Sequence, residues 1–164
     1  MNSFALTPGT VNIRFGAGAI SQLPELLAGL GKKRPFVVTD PGVKGVGLLE
    51  KVEKALSSNG FQVSSFDAIK PNPTTILIDK AAQIAVANKA DCIVALGGGS
   101  SLDSAKGIAL VAANPAFSSA QFNYSITPEK PALPIIAIPT TSGTGSETNN
   151  WGVIDDPERH CKFY

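Results

Sequence analysis

The sequence predicts an α/β fold, an open and mostly parallel doubly wound sheet with a C-terminal hairpin. Three observations lead there. Short apolar runs alternate with amphipathic stretches along most of the chain, the pattern of strand–helix–strand units joined by right-handed crossovers. Two of the runs, Pro35-Phe36-Val37-Val38 and Cys92-Ile93-Val94-Ala95-Leu96, have no polar position, as expected of strands covered on both faces. The second run leads directly into Gly97-Gly98-Gly99 and then a segment rich in Ala and Leu, which reads as a strand, a sharp turn and a helix start.

Taken in order, Thr10 to Gly16 alternates apolar and polar residues and predicts a half-exposed strand, broken by Gly16 and Gly18. Ile20 to Leu30 sets Ile20, Leu23, Leu26, Leu27 and Leu30 at helical spacing, with Pro24 tolerable in a first turn. Pro35 to Asp40 reads as a buried strand ending in an acid, and Asp40-Pro41-Gly42 as a turn. Leu48 to Leu56 predicts a helix with Leu49, Val52 and Leu56 inward, stopped by Ser57-Ser58-Asn59-Gly60. Phe61 to Phe66 is the next strand, followed by the loop Lys70-Pro71-Asn72-Pro73. Thr74 or Thr75 caps a helix over 76–89 that buries Ile76, Ala81, Ile84 and Ala85 or their neighbours. Ser100 or Ser101 caps the helix Leu102 to Ala113, and the proline-containing stretch Asn114 to Leu133 is irregular. Pro134 to Ile138 reads as another short buried strand, ended by Pro139. Trp151 to Ile154 and Cys161 to Tyr164 predict a hairpin about the polar turn Asp155 to Arg159.

Composition narrows the function classes. The 164 residues, 43% hydrophobic and 16% charged, fit one ordinary globular domain, and the net charge of +1 gives no cue for nucleic acid or an anionic membrane. No apolar stretch approaches the roughly eighteen residues of a membrane span, and nothing near Met1 reads as a signal peptide. Two cysteines far apart in sequence predict a reduced, cytoplasmic setting without a disulfide framework. One histidine and two cysteines leave no self-contained His/Cys zinc site. His160 reads as a hairpin residue, Trp151 as a packing residue and Cys92 as a small buried apolar one.

Ligands of open parallel sheets lie outside the carboxyl ends of the strands. Asp40, Gly97 to Gly99 and Thr140 to Thr144 each follow a strand and are therefore expected on one edge. The glycine turn with its helix start predicts a phosphate cradle, because unpaired N–H groups and the helix dipole face the ligand. It matches neither the P-loop nor the Gly-x-Gly-x-x-Gly dinucleotide fingerprint, and the candidate ribose acid, Asp40, lies upstream. Asp40 is either a turn former or a bidentate acceptor for adenine-ribose hydroxyls that selects NAD over NADP. Asp103 and Lys106 are either a surface ion pair or cleft residues, Asp103 accepting from a ligand at the helix start. Thr140-Thr141-Ser142-Gly143-Thr144-Gly145-Ser146-Glu147 is either a solvated loop or a bank of donors for a pyrophosphate or a nicotinamide carboxamide.

These pieces, in this order, resemble the iron-containing (group III) alcohol dehydrogenase family. The match rests on Gly-Gly-Gly-Ser-x-x-Asp-x-Ala-Lys at Gly97 to Lys106 and Pro-Thr-Thr-Ser-Gly-Thr-Gly-Ser-Glu at Pro139 to Glu147. Asp40, Pro71-Asn72-Pro73 and the start Phe15-Gly16-x-Gly18 fit as well. The resemblance implies a Rossmann-like domain that binds a nicotinamide dinucleotide, NAD before NADP. Asp40 would hold the adenine ribose, and Gly97, Gly98, Gly99 and Ser100 the pyrophosphate. Asp103, Thr140, Thr141 and Thr144 would surround the diphosphate and nicotinamide side, and Lys162 would also contact the cofactor. The parent activity would be NAD-dependent hydride transfer between a small alcohol and its aldehyde, with a homodimer as one possible assembly. Family members continue into a helical domain that supplies an Asp and three His to Fe²⁺ or Zn²⁺, and none of those ligands carries over to this chain. Residues 1–164 are thus expected to be the dinucleotide-binding half of such an enzyme, a fragment or the product of a truncated reading frame, inactive alone. The alternatives are a stand-alone NAD or phosphate-ligand binding module without redox chemistry, and a structural fragment whose exposed apolar face self-associates.

Overall fold

The apolar runs at 35–38 and 92–97 become the two central strands of a four-stranded sheet in the computed structural model, which describes residues 4–6, 11–122 and 126–163. In chain order the sheet strands are β3 (Pro35–Val38), β4 (Ser64–Phe66), β5 (Cys92–Gly97) and β6 (Ile135–Pro139). They lie in the order β4-β3-β5-β6, and every pairing is parallel. The strand order reverses between β3 and β5, so the topological switch point falls between the end of β3, at Asp40, and the end of β5, at Gly97. Two antiparallel pairs flank this sheet, β1 (Phe4–Leu6) with β2 (Ile13–Phe15) and β7 (Ile154–Asp156) with β8 (Cys161–Phe163).

Alternation along the central strands feeds two cores, one on each face. Val37, Cys92, Val94 and Leu96 face α1 (Leu23–Gly29), α2 (Pro41–Gly45) and α3 (Leu48–Ser57), which contribute Leu23, Leu27, Val43, Leu49, Val52 and Leu56. Phe36, Val38, Ile93 and Ala95 face α4 (Thr75–Ala87) and α5 (Gly99–Ala113). Ile78, Ala81, Ala82 and Ala85 of α4 make an i, i+3, i+4, i+7 stripe against Leu102, Ala105, Ile108 and Ala109 of α5. The hairpin joins this second core through Ile154 and Phe163. Among the described residues no helix is long and apolar enough to cross a membrane.

The doubly wound architecture and the terminal hairpin are as the sequence predicts, whereas several local expectations change. Asp40-Pro41-Gly42 is a helix start: Asp40 is the N-cap of α2 and its side chain accepts from the Val43 N–H, while Pro41 suits the first turn. Gly98, not Ser100 or Ser101, is the N-cap of α5, because three glycines let the helix begin earlier. Ile20 is 47% and Leu30 49% exposed. Ile20 lies in a 3₁₀ turn over Ala19–Gln22, and Leu30 is the C-cap of α1, so neither continues the α-helical stripe. Ile76 is 63% exposed in the first turn of α4, on the side away from the inward stripe. The strand expected to be buried at 134–138 is the sheet edge, partly exposed along its length. Trp151 is exposed rather than packed, and His160 sits in the hairpin turn at φ 50. Thr10 and Tyr164, which the sequence assigned to strands, lie outside the described residues.

Candidate functional site

The site grows from the glycine turn, and each glycine has a separate steric reason. Gly97 has φ 151, and a Cβ there would stand 2.5 Å from Ser101 Oγ and 3.1 Å from Asp40 Oδ2. A Cβ on Gly98 would meet Thr141 Oγ1 at 3.2 Å, and one on Gly99 would meet Thr144 Cγ2 at 3.1 Å. The missing side chains therefore let the 140–146 loop close against the start of α5. The Thr140 N–H donates to the Gly97 carbonyl at 2.9 Å, continuing the β5–β6 pairing into that loop. Farther along, the Gly145 carbonyl accepts from the Thr148 N–H, Thr148 Oγ1 and Asn149 Nδ2, which fixes the turn.

No side chain caps α5, so its first N–H groups remain available to a ligand. They open on a cleft of about 380 Å³ lined by Asn72, Pro73, Gly99, Ser100, Asp103, Thr144, Ser146, Val153, Asp155 and Lys162. Lys162 Nζ stands 3.2 Å from Asn72 Oδ1 and 3.4 Å from Asp155 Oδ1, putting a cation on the wall opposite the helix start. The hairpin that carries it is pinned to the 72–74 loop by the Asp155 N–H, which donates to the Pro73 carbonyl at 2.9 Å. A second, larger trough of about 1530 Å³ runs along β6, lined by Phe15, Ile20, Leu26, Ile135 and Trp151, and reaches Thr141 and Ser146.

Of the residues singled out by sequence, Gly99, Ser100, Asp103, Thr144 and Lys162 line the smaller cleft. Asp40, Gly97, Gly98 and Thr141 form the adjoining corner through the close approaches above, and Thr140 is held to it by its backbone. Asp40 takes two donors, Val43 N–H on Oδ1 at 3.0 Å and Ser101 Oγ on Oδ2 at 3.2 Å. Lys106 belongs elsewhere. Its ammonium donates to Asn149 Oδ1 at 3.0 Å and to the Trp151 carbonyl, and it pairs with Asp103 at 3.4 Å. Burial lowers its pKa, partly offset by Asp103 and Glu147. Asp103 also accepts from the Val153 N–H at 3.2 Å, so this pair holds the 149–153 segment against α5. Asn72, Pro73, Ser146, Val153 and Asp155 are cleft residues that sequence reasoning did not select. The loop signal at 71–73 and the hydroxyl run pointed toward the first three, while nothing local marked Val153 or Asp155.

The arrangement can seat a phosphate-bearing ligand. Its donors are backbone N–H groups and hydroxyls, its cation is Lys162, and Gly98 and Gly99 keep Cβ atoms out of the approach. Among the described residues no group of three or more His, Cys, Asp or Glu is placed to hold a metal ion, so the metal that the resemblance implies does not fit this chain alone.

The model of the iron-containing alcohol dehydrogenases matches residues 10–164. The chain belongs to that family. It is 38% identical over 149 residues to alcohol dehydrogenase 4 of Schizosaccharomyces pombe, covering 91% of this chain and 35% of that protein. It is 37% identical over 164 residues to the NAD-dependent methanol dehydrogenase of Bacillus methanolicus, covering 99% of this chain and 42% of the relative. The sulfoacetaldehyde reductase of Bifidobacterium kashiwanohense, solved in complex with NAD⁺, superposes with a TM-score of 0.82 at 30% identity, over 91% of this chain and 39% of that one. The chain thus spans about two fifths of the length of such relatives, and it matches their N-terminal part.

Proposed function

We propose that residues 1–164 are a dinucleotide-binding domain that takes NAD in preference to NADP, serving a metal-dependent dehydrogenase of small alcohols and aldehydes. The observation that carries this reading is the switch point between β3 and β5, which sets Asp40 beside the glycine turn. In this reading the first N–H groups of α5, with Gly97, Gly98, Gly99 and Ser100, receive the pyrophosphate, and Lys162 balances its charge. Thr140, Thr141, Thr144 and Asp103 border the diphosphate and the nicotinamide side. Asp40 retains one free lone pair on each oxygen for the adenine-ribose hydroxyls. A 2′-phosphate against that carboxylate would bring like charges together. NAD, when bound, supplies the hydride acceptor; the chain's own residues bind and orient it.

Calorimetric titration with NAD, NADP, AMP and inorganic phosphate tests the reading. NAD is expected to bind more tightly than NADP, AMP or phosphate. Equal binding of NAD and phosphate would instead support a phosphate-ligand module without redox chemistry. Formation of NADH from NAD and a small alcohol by this chain alone would overturn the assignment of the reacting groups to another part of the enzyme.

A further inference from the structure

The Asp40 carboxylate is constrained on both of its oxygens. It is bracketed by two glycines: a Cβ on Gly42 would stand 3.1 Å from Oδ1 and one on Gly97 3.1 Å from Oδ2. It is also clamped by two donors from different elements, the Val43 N–H of α2 and the Ser101 hydroxyl of α5. Ser101 is 1% exposed, so its hydroxyl has no bulk water to turn to. That hydroxyl fills the space where a Cβ of residue 97 would be, 2.5 Å away. The first glycine of the turn thus serves Ser101, and Ser101 serves Asp40.

We infer that Ser101 is a positioning residue for cofactor selection: its buried hydroxyl fixes the Asp40 carboxylate so that the remaining lone pair on each oxygen meets a ribose 2′- and 3′-hydroxyl pair. The inference rests on the dinucleotide reading above and deepens it. A carboxylate held in one rotamer loses no side-chain freedom when the ribose arrives, whereas a released one must be ordered at the moment of binding. Two donors already occupy one lone pair on each oxygen, which leaves a matched pair of acceptors and no place for a phosphate. The effect acts on the ribose end alone and leaves the pyrophosphate contacts at Gly99 and Ser100 untouched.

The test is calorimetry of the 164-residue chain and its Ser101→Ala variant with NAD, NADP and nicotinamide mononucleotide, which lacks the adenine ribose. Alanine is a better helix former than serine, so the variant is expected to fold, and its melting temperature checks this. Ser101→Ala is expected to weaken NAD about 3- to 10-fold while leaving NADP and the mononucleotide within about twofold. In an Asp40→Ala background the same substitution is expected to have no further effect on NAD. Equal losses for NAD and NADP, no loss at all, or a Ser101→Ala effect undiminished without Asp40 would each overturn the inference while leaving the cofactor reading in place. Failure of the unsubstituted chain to bind NAD, or an Asp40→Ala variant with an unchanged NAD-to-NADP ratio, would overturn the cofactor reading itself, and the inference with it.

Discussion

The two ends of the parallel sheet use a carboxylate in the same way and arrive at different results. At the amino end Asp91 accepts the Lys33 N–H at 2.8 Å and the Arg34 N–H at 2.9 Å, and Arg34 Nε donates to the Lys89 carbonyl at 3.1 Å. These bonds tie the segment leading into β3 to the one leading into β5. Cys92 follows, fully buried, and burial together with Asp91 pushes its thiol from an ordinary 9.0 up to about 12. At the carboxyl end Asp40 also takes two donors. An acid that ties two segments together is therefore no sign of a site. What distinguishes the carboxyl end is what it lacks, namely Cβ atoms at 97–99 and a capping side chain on α5. Space and unspent donors, more than the acid, set the carboxyl edge apart.

Substitution at Gly97 should break this contrast most severely. Gly97→Ala adds a methyl 2.5 Å from Ser101 Oγ at φ 151, at a cost of about 4 kcal/mol and a fall of roughly 8–16 °C in melting temperature. A thermal melt within about 2 °C of the parent would show that the turn has room that the structure denies. The amino end has its own signature in pH. The folded state keeps the Cys92 thiol protonated up to about 12, while the unfolded chain ionises near 9.0. Stability should therefore be intact below pH 9 and fall as pH rises, by about 2 kcal/mol between pH 8 and pH 10.5. Urea melts of Cys92→Ala over the same range report the other titrating groups, and the difference between the two curves isolates the thiol. Parallel curves would refute the burial argument.

Asp91→Ala and Asp40→Ala then sharpen the contrast directly. Asp91→Ala loses two hydrogen bonds to a charged acceptor and is expected to cost about 1.5 kcal/mol of stability while leaving the NAD-to-NADP ratio alone. Asp40→Ala is expected to lower that ratio about tenfold, equivalent to about 1.4 kcal/mol, measured by titration with each cofactor. A shift in the ratio from Asp91→Ala, or none from Asp40→Ala, would erase the functional difference between the ends.

What was legible in the sequence divides along local and non-local lines. The helix at 48–57 was readable because Leu49, Val52 and Leu56 repeat at helical spacing, and that stripe alone decides which face is buried. The shared edge of Asp40, the glycines and the hydroxyl loop was readable because each follows a strand. Asp40-Pro41-Gly42 was misread because an N-cap followed by a first-turn proline has the same composition as a turn; the burial of Val43 decides between them. The run at 134–138 is as apolar as the run at 92–96, and only the strand order shows that one is central and the other an edge. Sequence spacing pairs Lys106 with Asp103 and leaves its role open between an ion pair and a cleft residue, because its other partners at Asn149 and Trp151 lie more than forty residues away. The Ser101–Asp40 bond spans 61 residues and had no local signal.

The outer border of β6 has a consequence for contact with other chains. The Thr140 N–H points to β5, and alternation turns the amides of residues 136 and 138 the same way, leaving those of 135, 137 and 139 outward. Residue 139 is proline and has no hydrogen to give. A strand arriving from a second molecule would find only the donors of Ile135 and Ala137 before the ladder ran out. The longest open border of this sheet is a poor template, its outward donors stopped by a proline at the carboxyl end.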